Sequence, residues 1–170
     1  MKIVFSDIAP EGIHRIIKES GWAKSSGVLF RQSPQADMSL YLIDEITAEL
    51  KGELKAILDI PCSRCGCQTS YEVDEIFSYT FRVEKDGAHD LEELECRDED
   101  IETVYLEKSE IIIDEILLEQ LILSIPEKLL CSKECKGICP GCGASLNTEQ
   151  CNCDDDLSDS PFAVLKHLKK

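Results

Sequence analysis

The chain has no long apolar run and is poor in histidine, aromatic residues and positive charge. Without a stretch of about 18 consecutive apolar residues we expect no membrane-spanning helix, and without an apolar run after the initial Met we expect no signal peptide and a cytoplasmic protein. The Walker loop, the dinucleotide-binding fingerprint and the nucleophile elbow are all missing. His14, His89 and His167 stand apart from one another, so we interpret them as surface residues. These absences argue against an enzyme.

Lysine and arginine are scarce: the chain holds 18 of them against 34 aspartate and glutamate residues, and its formal net charge is −16 at pH 7. Non-specific affinity for nucleic acid comes from basic side chains that neutralise phosphates, so this charge favours a basic protein partner over naked RNA. Acidic residues are concentrated from Glu84 to Glu110, a run that we interpret as a solvated loop or, alternatively, as a docking surface. The basic tail at Lys166, Lys169 and Lys170 leaves RNA contact as an alternative.

Alternating apolar residues predict a β-hairpin in the middle of the chain. Apolar or small side chains alternate with polar ones from Ile46 to Ile60 and again, with Glu75 as one break, from Tyr71 to Val83. A period of two residues is typical of a half-buried strand in an antiparallel sheet. The two strands flank a cysteine-rich loop, so we expect them to be antiparallel neighbours with this loop at their tip. Gly52, inside the first strand, predicts a bulge or a bend.

Shorter patterns complete the prediction of an α+β fold, an antiparallel meander packed by one or two helices. Pro10 to Ser20 predicts a short helix, because proline suits a first helical position and a glycine follows. Residues 25–37 predict a loop, and residues 39–43 and 103–106 predict two further strands. The apolar run from Ile111 to Leu123 predicts a mostly buried helix across the sheet, ended by a proline.

The chain contains ten cysteines, a high number for its length. In a reducing cytoplasm such residues are more often metal ligands than disulfides. Eight of them occur as four close pairs: Cys62 and Cys65, Cys131 and Cys135, Cys139 and Cys142, and Cys151 and Cys153. A structural zinc ion takes four ligands in a tetrahedron, so eight thiolates predict two closed zinc sites with no open position for catalysis. We expect an α+β domain at residues 1–126 and a zinc-binding segment at residues 127–170.

The simplest division groups neighbouring pairs into two sites. One is a local knuckle formed by Cys139, Cys142, Cys151 and Cys153. The other joins the hairpin loop to the tail through Cys62, Cys65, Cys131 and Cys135. Three alternatives stay open: Cys135 in the local site, one filled site only, or an iron–sulfur cluster. Cys67 and Cys96 have no evident partner. A redox pair at Cys62 and Cys65 would be expected at the start of a helix rather than between two strands.

Several segments carry a resemblance to a known family. They are Pro61-Cys62-Ser63-Arg64-Cys65, the helix from Ile113 to Pro126, the run Cys131-x3-Cys135-Lys136-Gly137-Ile138-Cys139-Pro140-x-Cys142-Gly143-x2-Leu146-Asn147, the pair Cys151-x-Cys153 and the closing stretch from Ser160 to Leu168. In all of them the chain resembles the YceD family. Gly66 and Cys67 stand where an acidic residue or a leucine is usual in that family.

This resemblance implies a role in the accumulation of large-subunit ribosomal RNA in bacteria and plastids, with family members commonly encoded beside a small basic ribosomal protein. We therefore expect a non-enzymatic ribosome-biogenesis factor whose partner is a large-subunit ribosomal protein or a pre-ribosomal particle. An RNA-binding zinc knuckle is the alternative, although residues 131–153 contain no aromatic side chain for base stacking. A thiol oxidoreductase is the third hypothesis.

Overall fold

A five-stranded sheet forms the centre of the computed structural model, which describes residues 1–83 and 103–153. The elements in chain order are β1 (Lys2–Val4), a 3-10 helix (Phe5–Asp7), β2 (Ile13–Ile17), a second 3-10 helix (Gly21–Ser26), β3 (Leu29–Leu42), β4 (Thr47–Pro61), β5 (Gln68–Val83), β6 (Thr103–Leu106), β7 (Glu110–Ile112) and α1 (Ile113–Ser124). The sheet has the order β2-β3-β4-β5-β6, and β1 pairs separately with β7. In the described parts of the chain, no helix combines the length and the apolar character that crossing a membrane requires.

The predicted hairpin is confirmed as β4 and β5, which pair antiparallel without interruption from Thr47↔Arg82 to Pro61↔Gln68. Its inner face carries the alternating apolar residues, and the cysteine loop lies at its tip. The bulge predicted at Gly52 is wrong, because this residue pairs regularly with β3 on one side and with Phe77 on the other. A Cβ atom at Gly52 would lie only 2.4 Å from Cζ of Phe77, so the glycine makes room for this ring.

The helix predicted from Pro10 to Ser20 is wrong, because residues 13–17 form β2 instead and pair antiparallel with β3. Three of these five residues are isoleucines, whose branched side chains suit a strand once a partner edge is available. The proline belongs to a turn that Gly12 closes by donating its N–H to the oxygen of Ala9 at 2.8 Å. The backbone of Gly12 has a φ of +87°, a conformation that side chains other than hydrogen rarely tolerate.

The loop predicted for residues 25–37 is wrong from Leu29 onward, where the long strand β3 begins. Pro34 lies at a register shift between Gln32 and Gln35, and such an irregularity tolerates a residue that cannot donate a backbone N–H. The strand predicted at residues 39–43 is confirmed as the end of β3.

The sheet is mixed, so the prediction of a purely antiparallel meander is wrong at one edge. The predicted strand at residues 103–106 is confirmed as β6, but it runs parallel to β5. A parallel neighbour needs a connection of about a dozen residues or more, and the segment between Val83 and Thr103 has that length. The loop predicted within this acidic segment falls on residues 84–102, outside the described residues.

The helix predicted from Ile111 to Leu123 is confirmed as α1 from Ile113 onward, but Ile111 and Ile112 belong to β7, where they pair with β1. It packs on the sheet through Ile113, Ile116, Leu117 and Leu121, which are all buried. The tyrosine hydroxyl of Tyr71 on β5 donates to the oxygen of Ser124 at 2.8 Å and holds the end of the helix. The prediction of a mostly buried helix is wrong for the opposite face, where Ile122 and Leu123 are 52% and 69% exposed.

Candidate metal centres

The tip of the hairpin is a six-residue loop between β4 and β5 that turns three cysteines to one side. The N–H of Cys62 donates to the oxygen of Cys67 at 2.8 Å and closes the loop. Gly66, with a φ of +73°, makes the reversal that brings Cys67 back toward Cys65. The sulfur atoms of Cys65 and Cys67 lie 3.3 Å apart.

The chain after α1 crosses this tip and adds two more cysteines. Leu129 and Ser63 form a pair of hydrogen bonds, with Ser63 N–H donating to the Leu129 oxygen at 2.8 Å and Leu129 N–H donating to Ser63 Oγ at 3.1 Å. These bonds place Cys131 with its sulfur 3.7 Å from that of Cys65. The sulfur of Cys135 lies 3.9 Å from that of Cys62. We call these five residues the first cluster: Cys62, Cys65, Cys67, Cys131 and Cys135.

The sulfur separations in the first cluster suit a tetrahedral metal ion. Zinc–sulfur bonds of about 2.3 Å place the sulfur atoms of a tetrahedron about 3.8 Å apart. The Cys62–Cys135 and Cys65–Cys131 separations, 3.9 and 3.7 Å, are close to this value. Among the described residues, the sulfur atoms that all lie within 4.8 Å of one another here are those of Cys62, Cys65 and Cys131 together with Cys67, which the sequence left without a partner. Cys135, which the sequence placed in this site, is linked to it through its 3.9 Å separation from Cys62.

The second cluster is a local knuckle. It contains Cys139, Cys142, Cys151 and Cys153, whose sulfur atoms all lie within 4.8 Å of one another. Its first turn is closed by two hydrogen bonds, Gly143 N–H to the Cys139 oxygen at 2.9 Å and Cys139 N–H to the Ala144 oxygen at 2.8 Å. The grouping matches the simplest division of the cysteine pairs. Among the described residues, two sets of four sulfur atoms could hold a metal ion: this knuckle, and Cys62, Cys65, Cys67 and Cys131 of the first cluster.

Hydrogen bonds and burial shift the pKa values of the thiols in the first cluster in opposite directions. Burial raises the pKa of Cys62, but the N–H groups of Arg64 and Cys131 donate to its sulfur and lower the pKa to about 6 overall. The N–H of Cys67 lowers the pKa of Cys65, yet the Cys67 thiol and burial outweigh it and raise the pKa to about 11. Charged sulfurs this close repel one another, so full ionisation of the cluster requires a cation among them.

The second cluster has the same electrostatic pattern. The N–H of Cys142, the thiol of Cys151 and the N–H of Gly141 lower the pKa of Cys139 to about 6. The neighbouring thiols, led by Cys151, raise the pKa of Cys153 to about 12. A set of four sulfur donors with one readily ionised member is the chemistry that a thiophilic cation such as zinc binds.

Asn147 connects the two clusters, a role that sequence reasoning missed. It lies in the loop between Cys142 and Cys151, yet its side-chain N–H donates to the sulfur of Cys135 at 3.4 Å. Its side-chain oxygen accepts the N–H of Lys136 at 2.7 Å. The hydrogen bond from Asn147 to the Cys135 sulfur is the largest cause of the lowered pKa of Cys135. Asn147, in the loop of the second cluster, thus favours the thiolate form of Cys135 in the first cluster.

We expect Asn147→Ala to weaken metal binding at the first cluster by about tenfold, since hydrogen bonds to metal ligands typically contribute this much or more. Competition with a chromophoric chelator measures the affinity of each site. Thr148→Ala is the matched control, because its exposed side chain forms no hydrogen bond among the described residues. Equal affinities for the two variants would contradict this role of Asn147.

The other singled-out residues stand outside both clusters. His14 on β2 contacts Asp37 on β3 at 2.6 Å. Cys96, His89 and His167 fall outside the described residues, so their predictions stay predictions.

A groove of about 380 Å³ lies between β5, β6, β7 and α1. We call it the acidic groove; it is lined by Tyr79, Phe81, Val104, Tyr105, Leu106, Glu107, Lys108, Glu110, Ile111, Ile112, Glu115, Ile116 and Glu119. Its floor is aromatic and aliphatic, and its rim holds four glutamates and one lysine. Glu110 pairs with Lys2, which lowers the pKa of that carboxyl. Glu115 and Glu119, one turn apart on α1, are exposed and form no ion pair with any described residue.

Comparison with known proteins gives one family and one curated relative. The family model described as large ribosomal RNA subunit accumulation protein YceD matches residues 50–169, a range that includes both clusters. The chain is 26% identical over 141 residues to the Arabidopsis thaliana protein named large ribosomal RNA subunit accumulation protein YCED homolog 1, chloroplastic. The match covers 71% of this chain but 44% of that protein, so the chain spans less than half of its relative. No solved structure matches the chain.

Proposed function

Because the chain belongs to the YceD family, we propose that it is a non-enzymatic ribosome-biogenesis factor that supports the accumulation of large-subunit ribosomal RNA. Its partner in this proposal is a basic large-subunit ribosomal protein or an assembly intermediate that contains one. The family match carries the proposal, and the name of the Arabidopsis relative agrees with it. The proposal places the chain in a reducing compartment such as the cytoplasm, where cysteines are more often metal ligands than disulfides.

Two structural zinc ions complete the proposal. One would be held by Cys62, Cys65, Cys131 and Cys135, and the other by Cys139, Cys142, Cys151 and Cys153. Zinc is favoured over an iron–sulfur cluster, because a multi-iron cluster places iron and sulfide atoms between its thiolates and holds them farther apart than the sulfurs of one tetrahedron. Each ion would supply a covalent-like cross-link with no open position for water. The first would attach residues 127–170 to the domain at residues 1–126.

The acidic groove supports a basic partner more directly than the net charge does. Lysine and arginine side chains have apolar stems and charged ends, so they pack their stems on apolar surfaces while their ends reach carboxylates. Val104 and Tyr105, 36% and 48% exposed, offer the first kind of contact, and Glu115 and Glu119 offer the second. A segment rich in lysine and arginine therefore fits this groove in both respects.

We expect the double variant Glu115→Lys/Glu119→Lys to bind large-subunit ribosomal proteins at least about tenfold more weakly at low salt, because attraction becomes repulsion at the groove. The experiment immobilises the purified chain, adds proteins extracted from large ribosomal subunits and quantifies retained components by mass spectrometry. Binding should fall as salt rises, since exposed charges are screened beyond about 10 Å at 0.1 M salt.

The matched control is Glu11→Lys/Glu45→Lys, which makes the same change in net charge at two exposed positions that do not line the groove. If both variants lose binding equally, overall charge rather than the groove recruits the partner. Failure of the wild-type chain to retain any large-subunit protein would remove the proposed function itself.

The other two functions have weaker support. Cys62 and Cys65 lie in a loop between antiparallel strands, not at the start of a helix where a redox pair of this spacing is expected. The zinc knuckle has no aromatic side chain to stack on a base. Tight, salt-resistant binding of ribosomal RNA fragments by the pure chain would favour the RNA-binding alternative.

A further inference from the structure

The first cluster contains five sulfur atoms, one more than a tetrahedral ion accepts. Cys67 completes the set of four whose sulfur atoms lie within 4.8 Å of one another, and Cys135, whose sulfur lies 3.9 Å from that of Cys62, is the other candidate for the fourth position. We propose that Cys67 is a reserve ligand of this site and can replace Cys135 while the ion stays bound. The inference rests on the proposed zinc site and concerns which side chains hold it.

Cys67 belongs to the set of mutually close sulfurs, but distance to Cys62, burial and hydrogen bonding favour Cys135 as the resting ligand. Its separation from Cys62, 3.9 Å, is close to the tetrahedral value of about 3.8 Å, whereas Cys67 lies at only 3.3 Å from Cys65. Cys135 is 1% exposed, receives a hydrogen bond from Asn147, and its own carbonyl oxygen accepts one from the guanidinium of Arg64. Cys135 therefore occupies the fourth position in the resting state.

Cys67 is free to move into that position. It is exposed, and the described contacts of its sulfur are those to Cys65 and, at 3.9 Å, to the hydroxyl of Thr69. Its backbone oxygen stays bound to the N–H of Cys62, so only the side chain needs to rotate. The sulfur already lies within 4.8 Å of the three shared ligands.

The exchange is a simple ligand substitution. The bond from the ion to the Cys135 sulfur breaks, the bond to the Cys67 sulfur forms, and the proton of the Cys67 thiol passes to the released Cys135 thiolate. No electron is transferred, so no oxidant is needed. Afterwards all ligands of the first site except Cys131 come from the hairpin loop, and the chain beyond Cys131 can separate from the tip without loss of the ion.

Four variants test this inference: Cys67→Ala, Cys135→Ala, the double variant of the two, and Cys142→Ala as a control in the second cluster, which has no fifth sulfur among the described residues. Each is loaded with cobalt(II), whose thiolate charge-transfer absorption rises with the number of bound sulfurs. We expect Cys67→Ala and Cys135→Ala to keep the wild-type absorption. The double variant and Cys142→Ala should each show a clear loss.

Alkylation mapped by mass spectrometry gives a second readout that does not depend on absorption. In the zinc-loaded wild type, Cys67 should react with iodoacetamide at least about tenfold faster than Cys135, because bound thiolates are shielded from the reagent. In Cys135→Ala, Cys67 should become protected. If Cys135→Ala loses as much cobalt absorption as the double variant and leaves Cys67 reactive, the reserve role is wrong while the zinc site stands. A wild-type chain that binds no metal would overturn both proposals.

Discussion

We expect removal of the two proposed zinc ions with a strong chelator to detach residues 127–153 from the hairpin tip and to leave the five-stranded sheet folded. Outside the sulfur atoms, the tail is held mainly by the two Ser63–Leu129 hydrogen bonds and by the Arg64 contact to Cys135. Such bonds contribute about 1 kcal/mol each, whereas structural zinc contributes roughly 10 kcal/mol or more to the folding of small metal-held units. The metal therefore decides whether the tail is ordered.

The sheet does not need the tail, because its hydrophobic core is complete without it. The buried residues of that core run from Ile3 to Leu121, and none comes from the cysteine-rich segment. The single tryptophan, Trp22, packs edge-on against Phe30 with ring centroids 6.3 Å apart. Its fluorescence therefore reports on the sheet and not on the tail.

Limited trypsin digestion measures the tail, with Lys133 and Lys136 as exposed cleavage sites. We expect cleavage at these sites to accelerate at least about tenfold after chelation, because a bound ion that stabilises one state by several kcal/mol suppresses its opening. Added zinc should restore protection. The urea midpoint of the Trp22 signal should change little. An unchanged cleavage rate after chelation would contradict this division of the chain. A large fall in the urea midpoint of the Trp22 signal after chelation would contradict it as well.

Gly52→Ala is expected to reduce the free energy of unfolding by about 2 kcal/mol, the usual range for overpacking a core. The new Cβ atom would lie 2.4 Å from Cζ and 2.8 Å from Cε2 of Phe77. Phe77 is itself buried, and β4 has a paired strand on both sides, so neither ring nor backbone can easily shift. Without this contact, alanine would be favoured over glycine by about 0.5–1 kcal/mol in a strand. The sign of the effect therefore tests the packing.

Urea unfolding followed by Trp22 fluorescence gives the free energies. Gly21→Ala is the matched control, because no atom lies within 4 Å of the added Cβ and its φ is not positive. Its effect should be small. Adding Phe77→Leu to Gly52→Ala should cost less than the sum of the two single changes, since the shorter side chain removes the clash. Strict additivity, or a stabilised Gly52→Ala variant, would show that the ring does not oppose the new methyl group.

Errors in the sequence-based fold arose where a short segment depends on its partner. The stretch Ile13–Ile17 is too short for its apolar pattern to separate helix from strand, and the free edge of β3 decided the matter. The sequence also could not predict that β6 runs parallel to β5, because a pattern of alternating residues is the same in parallel and antiparallel pairs. The bulge at Gly52 was predicted from the residue type alone, whereas the reason for a glycine there is the ring of Phe77, 25 positions away in the chain.

In the candidate metal sites, too, the sequence predicted local groupings but not contacts between distant residues. The spacing of the cysteine pairs predicted which sulfurs group within the local knuckle, because their separations in sequence are short. It could not predict that Cys67 would join Cys131, or that Asn147 would donate to Cys135 from the loop of the other cluster. One signal was available: Gly66 lies immediately before Cys67 and permits the tight reversal that returns it to the cluster.

The sequence by itself determined the long hairpin, the buried side of α1, the acidic character and the supply of thiolates, because each follows from local periodicity or from composition. The tertiary structure alone decided the edge strands, the fifth sulfur of the first cluster and the link between the clusters through Asn147. Those features depend on contacts between residues that are far apart in the chain, and such contacts arise only when strands pair and the tail crosses the hairpin tip.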